Sequence, residues 1–187
     1  TNPMNGGAGN DTMFGTGNID LMHGNAGNDF MFGFACDDEM YGDAGTDPMF
    51  GGWGDDDMDG GAGIDFMFGG RDDDTMHGYK AQTMQDPCTE ITFQVGSNIT
   101  VKIEFGDVMF GWTSNDTMWG SDCVDLMFGN DGLDSMHGKT GMDFMFGQTD
   151  ADKMWGDAGG GVFINTIQIS PPIGNFMFGN AEKDEMW

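Results

Sequence analysis

The chain has 187 residues, a length that fits one domain, with 34 Gly, 19 Met and 32 Asp plus Glu against only 6 Lys plus Arg. A formal net charge of −26 excludes nucleic acid and anionic membrane surfaces as electrostatic partners, because both repel so acidic a protein. An aromatic content of 12% excludes a disordered solvating chain, so the acidity reads as a scaffold for bound cations.

From the N-terminus the chain falls into blocks of nine: GGAGNDTMF (6–14), GTGNIDLMH (15–23), GNAGNDFMF (24–32) and GFACDDEMY (33–41). GDAGTDPMF (42–50), GGWGDDDMD (51–59), GGAGIDFMF (60–68) and GGRDDDTMH (69–77) follow without a gap. The frame then breaks over 79–105, where EITFQV and ITVKIEF flank Gly96-Ser97-Asn98 and read as a β-hairpin. It resumes with GWTSNDTMW (111–119), GSDCVDLMF (120–128), GNDGLDSMH (129–137), GKTGMDFMF (138–146) and GQTDADKMW (147–155). A second insertion, 160–174, carries VFINTIQIS before Pro171-Pro172, and the block GNAEKDEMW fills 179–187. Both interruptions fall between an even strand and the following odd one. A small side sheet formed by the two insertions is the expectation.

The repeat resembles the RTX motif G-G-x-G-x-D-x-U-x, with U apolar, and the likeness covers most of the chain outside the two insertions. The resemblance implies an all-β fold: a right-handed parallel β-roll or β-helix, a solenoid, with two hairpin-like insertions on one edge. Residues 1–187 then form a single roll. Two nonamers make a coil of 18 residues, with one strand on each of two facing parallel sheets; roughly nine coils about 4.8 Å apart give a rod near 40 Å long. In each block the first six residues form a Gly-rich turn that needs positive φ and close backbone approach. The last three form a short strand that sends the eighth residue inward and the seventh and ninth outward. That eighth residue is Met in every copy, from Met4 and Met13 to Met177 and Met186. A Met ladder reads as core, because Met fills irregular gaps, and a soft-metal thioether site is disfavoured without nearby Cys or His.

The sixth residue is Asp11, Asp20, Asp29, Asp38, Asp47, Asp56, Asp65, Asp74, Asp107, Asp116, Asp125, Asp134, Asp143, Asp152 and Asp184. Stacking places each beside the one 18 residues on, and such a column of like charges needs a cation. Calcium suits the flexible, many-oxygen geometry, and the resemblance implies multiple Ca²⁺ ions between adjacent turns, held by these aspartates and by turn carbonyls. The edge carrying Asp20, Asp38, Asp56 and their successors has no insertion, so its ion column is expected to be the more regular.

The outward residues separate the two sheets. In odd blocks the ninth residue is Phe14, Phe32, Phe50, Phe68, Phe110, Phe128, Phe146 or Phe178, and the seventh includes Phe30, Phe66, Phe144 and Phe176. A row of this size exceeds the apolar patch that monomers usually expose, so the face is expected to be covered, with self-association the first choice and a neighbouring protein the second. Even blocks present His23, Tyr41, Asp59, His77, Trp119, His137, Trp155 and Trp187, a mixed and wettable face on which the histidines read as solvated.

No catalytic constellation stands out, and the chain reads as a non-enzyme. Cys36, Cys88 and Cys123 allow at most one intramolecular disulfide and are spaced unlike a zinc site. No apolar run reaches membrane-spanning length, no signal peptide is visible, and the chain reads as a piece of something longer. The leading functional reading is a secreted or cell-surface bacterial module, part of a surface layer, filament or adhesin, that folds on calcium. Alternatives are an ice-binding solenoid, disfavoured because no Thr row runs along the turns, and a C-terminal accessory domain of a secreted hydrolase or epimerase.

Overall fold

The computed structural model describes residues 2–79, 89–95, 99–156, 176–178 and 185–186, with side chains over 3–79 and 105–156. Every regular element among them is a strand. The strands form two parallel sheets, and successive strands of the roll alternate between them, as expected of a solenoid. Sheet I stacks Asn2–Ala8, Asp20–Ala26, Glu39–Gly45, Asp57–Asp59, Thr75–His77, Thr117–Trp119, Ser135–His137, Lys153–Trp155 and Glu185–Met186. Sheet II stacks Thr12–Phe14, Phe30–Ala35, Pro48–Trp53, Phe66–Arg71, Ile99–Thr113, Val124–Asp131, Phe144–Gln148 and Phe176–Phe178.

Register follows the 18-residue coil: Met22 pairs with Met40 and Met31 with Met49. Across the first insertion the offset becomes 42 residues, yet Met still meets Met, with Met67 beside Met109 and Met76 beside Met118. A one-residue slip would turn every Met outward, so the periodic core dictates the register. The eighth-position methionines from Met22 to Met154 are completely buried, Met13 nearly so, and Met4 packs against the end of the row. Burying a Met side chain contributes about 1.5–3 kcal/mol, repeated here at each strand.

The strands run further than three residues. Alternation begins at the sixth residue and continues into the next block, so Asp, Met and the first Gly all point inward, as in Asp20, Met22 and Gly24. The aspartates therefore flank the Met row inside the roll instead of lining an outer turn. The glycines divide accordingly. Positive φ belongs to the second and fourth positions, as at Gly7 (103°) and Gly9 (110°). The first glycine is needed for a different reason: a methyl group at Gly6 would lie 2.9 Å from both Asp11 Oδ2 and the Gly24 carbonyl oxygen.

The first insertion contains the expected hairpin: Thr89–Val95 pairs antiparallel with Ile99–Phe105. Its second strand runs without a break into the sheet II strand, with a register shift between Phe105 and Val108. The hairpin is thus an outgrowth of sheet II. Residues 96–98 and the whole of 160–174 lie outside the described residues. Cys123 is buried and disulfide-bonded, whereas Cys36 is an exposed free thiol.

Candidate metal centre

Each described aspartate of the sixth position lies 0–2% exposed, except Asp11 in the first coil, which is half-buried. The backbone N–H of one aspartate donates to Oδ1 of the aspartate in the next coil. On one edge the chain of bonds runs Asp20, Asp38, Asp56, Asp74, Asp116, Asp134, Asp152, with distances of 2.8–3.0 Å. On the other it runs Asp11, Asp29, Asp47, Asp65, Asp107, Asp125, Asp143, with distances of 2.6–3.0 Å. The second edge bridges the insertion from Asp65 to Asp107 at 2.9 Å, so the bonding is equally continuous on the two edges. Asp184 lies outside the described residues.

These bonds use one carboxylate oxygen. The other, Oδ2, is buried without a hydrogen-bond partner at Asp11, Asp29, Asp38, Asp47, Asp56, Asp74, Asp116 and Asp134. A buried orphan acceptor costs about 1–3 kcal/mol, and more when it is charged. Burial accordingly pushes the carboxyl groups of Asp38, Asp47, Asp56, Asp74, Asp116 and Asp134 up from their usual range, and the facing carboxylates push the same way. The N–H bond from the preceding coil opposes both. Asp38 is pushed up to about 6, Asp47, Asp56 and Asp134 to about 7, Asp116 to about 8 and Asp74 to about 9.

A row of buried carboxylate oxygens that lack donors fits a cation. No group of three or more His, Cys, Asp or Glu converges among the described residues, which argues against a zinc-type site. A hard ion that takes one or two carboxylates and completes its shell from backbone carbonyls matches this donor set, and that describes Ca²⁺. The first glycine admits the carboxylate into the turn, since any side chain there would occupy the space beside Oδ2, as at Gly24 and Gly120.

A second ladder escaped the sequence reading. At the fifth position, side chains accept the N–H of the next coil: Asn28 donates to Asn10, Thr46 to Asn28, Asp55 to Asp37, Asp73 to Asp55, Asn115 to Asp73 and Leu133 to Asn115, at 2.9–3.1 Å. It runs opposite in direction to the buried ladder, so successive turns are tied both ways. The recurrence of Asn or Asp at position five was the available signal.

The outer faces are also ladders. On sheet II, Phe32, Phe50, Phe68, Phe110, Phe128 and Phe146 stack with ring centroids 4.7–5.0 Å apart, and Phe14 joins at 5.8 Å. The strand Phe176–Phe178 continues the row in backbone register. A groove of about 500 Å³ runs beside this row, walled by Phe34, Trp53 and Trp112, with the Arg71 guanidinium 5.1 Å from the Trp53 ring. On sheet I the histidines, expected to be solvated, are partly buried against rings: His23 stacks on Tyr41 at 4.6 Å with its side chain still 38% exposed, His77 stacks on Trp119 at 4.5 Å, and His137 lies between Trp155 at 4.2 Å and Trp119 at 5.6 Å. Aromatic neighbours one coil away, invisible in a single block, account for the difference.

No curated protein shows a significant match to the chain. The family model of the RTX calcium-binding nonapeptide repeat (4 copies) matches at residues 4–20, 14–47, 50–80, 104–136 and 128–163. These segments span well over half of the sequence and contain both aspartate ladders up to Asp152, so the chain belongs to the RTX calcium-binding nonapeptide-repeat family.

Proposed function

We propose that the chain is an extracellular structural or interaction module that folds when it binds calcium and associates with a second copy through its Phe-rich face. The observation that carries the reading is the pair of buried ladders with orphan Oδ2 atoms. Without divalent ions these charges oppose the fold; with them, metal-binding energy becomes folding energy. Calcium is abundant outside cells and scarce within, so such a chain stays unfolded until it is exported. Secretion by a bacterium agrees with this behaviour, and the family is typically one of secreted bacterial proteins.

Self-association is supported by the unpartnered aromatic face. Phe14, Phe34, Trp53 and Trp112 are each more than half exposed beside the stacked Phe row. The reading is tested by circular dichroism together with analytical sedimentation, with calcium and with chelator. Gain of β signal with gain of mass on adding calcium is the expected result. Gain of signal without gain of mass removes self-association, and β structure that survives chelation unchanged removes calcium-driven folding.

A further inference from the structure

We propose that two turns of the roll, at Thr16–Asp20 and Ser121–Asp125, close without a cation, and that a hydroxyl group takes the ion's place. This rests on the reading that the other turns hold calcium. Eleven uninterrupted described turns carry positive φ at both their second and fourth residues, whether Gly or not, as at Phe34 (82°) with Cys36 (75°) and Trp112 (92°) with Ser114 (82°). The turns beginning at Gly15 and Gly120 have positive φ at neither position. They lie on opposite edges of the roll, and they alone carry a hydroxyl residue in the second place.

The two turns share one hydrogen-bond network. In the first, the Thr16 N–H donates to Asp20 Oδ2 at 2.6 Å and the Thr16 hydroxyl donates to the same oxygen at 3.0 Å. In the second, the Ser121 N–H donates to Asp125 Oδ2 at 2.7 Å and the hydroxyl donates to Oδ1 at 2.9 Å. Each hydroxyl oxygen then accepts the N–H of the fourth residue, Asn18 or Cys123, at 3.2 Å. Oδ2 is the atom left without a donor in turns such as those of Asp38, Asp56 and Asp116. Here it faces an N–H dipole, which satisfies a carboxylate but cannot ligate a cation and repels one. A backbone change and a side-chain change thus deliver the same result: Oδ2 is met by donors, not by metal, and at Asp125 Oδ1 is met as well, whereas Asp20 Oδ1 stays buried without a hydrogen-bond partner.

The test counts calcium per chain by native mass spectrometry and equilibrium dialysis for wild type, Thr16→Gly, Ser121→Gly and the double variant. Glycine is the residue at the second place in the positive-φ turns of Gly7, Gly52, Gly61 and Gly70. Each single variant is expected to bind one more ion than wild type, and the double variant two more. Unchanged or lower counts in folded variants overturn the proposal. A wild-type chain that binds no calcium sinks the calcium-folding reading instead, so the two failures are distinct. Wild-type protein also answers directly if a variant does not fold. At saturating calcium the Thr16 and Ser121 amide protons are expected far downfield and slow to exchange in NMR spectra, and fast exchange of both overturns the proposal.

Discussion

Two regions of the interior lie two residues apart on the same strand and work by opposite physics. The Met row is dry and apolar, and it gains stability from every coil added. The aspartate rows beside it are equally buried, yet each coil adds a charge that burial disfavours. The roll thus has a core that always favours stacking and two edges that favour it only when an ion or a hydrogen-bond donor meets the free carboxylate oxygen. On the proposed reading, one repeat makes the fold conditional on its solvent without changing its core.

Removal of calcium is expected to set the two regions against each other most strongly. A ligand bound only by the folded state stabilises it by about 2.7 kcal/mol per site at a hundredfold excess over Kd. Several sites together exceed the roughly 5–15 kcal/mol net stability of a typical domain. Chelation near pH 8 is therefore expected to abolish the far-ultraviolet β signal, whereas a core that sufficed by itself would keep it.

Next in size is Asp116→Ala, expected to cost about 3–5 kcal/mol in calcium, as for removing one partner of a buried ion pair. Asp116→Asn keeps the acceptor for the Asp74 N–H but removes the charge. It is expected to lower the melting temperature in calcium and, in chelator, to let the β signal persist to a higher pH than in wild type. Met118→Ala provides the contrast from the core. It is expected to cost about 2–5 kcal/mol with the same sign in calcium and, at the acidic pH that favours a metal-free roll, in chelator, and Met118→Leu less than about 1.5 kcal/mol.

The pH dependence separates the regions further. The folded carboxyl groups of Asp38, Asp47, Asp56, Asp74, Asp116 and Asp134 titrate between about 6 and 9, above the ordinary 3.8. A group raised on folding stabilises the fold fully below its unfolded value and loses that contribution as pH rises through its folded value. Any metal-free roll is therefore most stable near pH 4 and weakens towards pH 9. Calcium reverses the trend, since protons compete for the same oxygens. Denaturant titrations across pH, with and without calcium, are expected to give slopes of opposite sign. The smallest effect belongs to the outer face: Phe68→Ser breaks two ring stacks, with Phe50 and Phe110, at a few tenths to about 1 kcal/mol each. Its larger readout is sedimentation, where a lower mass in calcium is expected.

Much of this was legible because a nonamer that occurs twice per coil converts position in sequence directly into position in space. Met at the eighth place, Asp at the sixth and Phe at the ninth each become a column once residues 18 apart are neighbours. Other features were not legible, because they arise between coils or from backbone geometry. Positive φ at the fourth place could not be inferred for Cys36 or Asp72, residues with no glycine signal. Nor could the ladder continuing from Asp65 to Asp107, which depends on the hairpin returning the chain to the same edge.

The period, the inward Met, the acidic columns and the aromatic row follow from the residues alone, because strand alternation and a constant coil length leave few ways to bury them. The stacking of coils sets how far inside the aspartates lie and which of their oxygens lack a donor. It also decides that Thr16 and Ser121 turn an N–H towards a carboxylate, and that each histidine meets a ring. Those outcomes depend on where one coil sets its neighbour's atoms, to within a few tenths of an ångström, and a repeat read one block at a time carries no such distance.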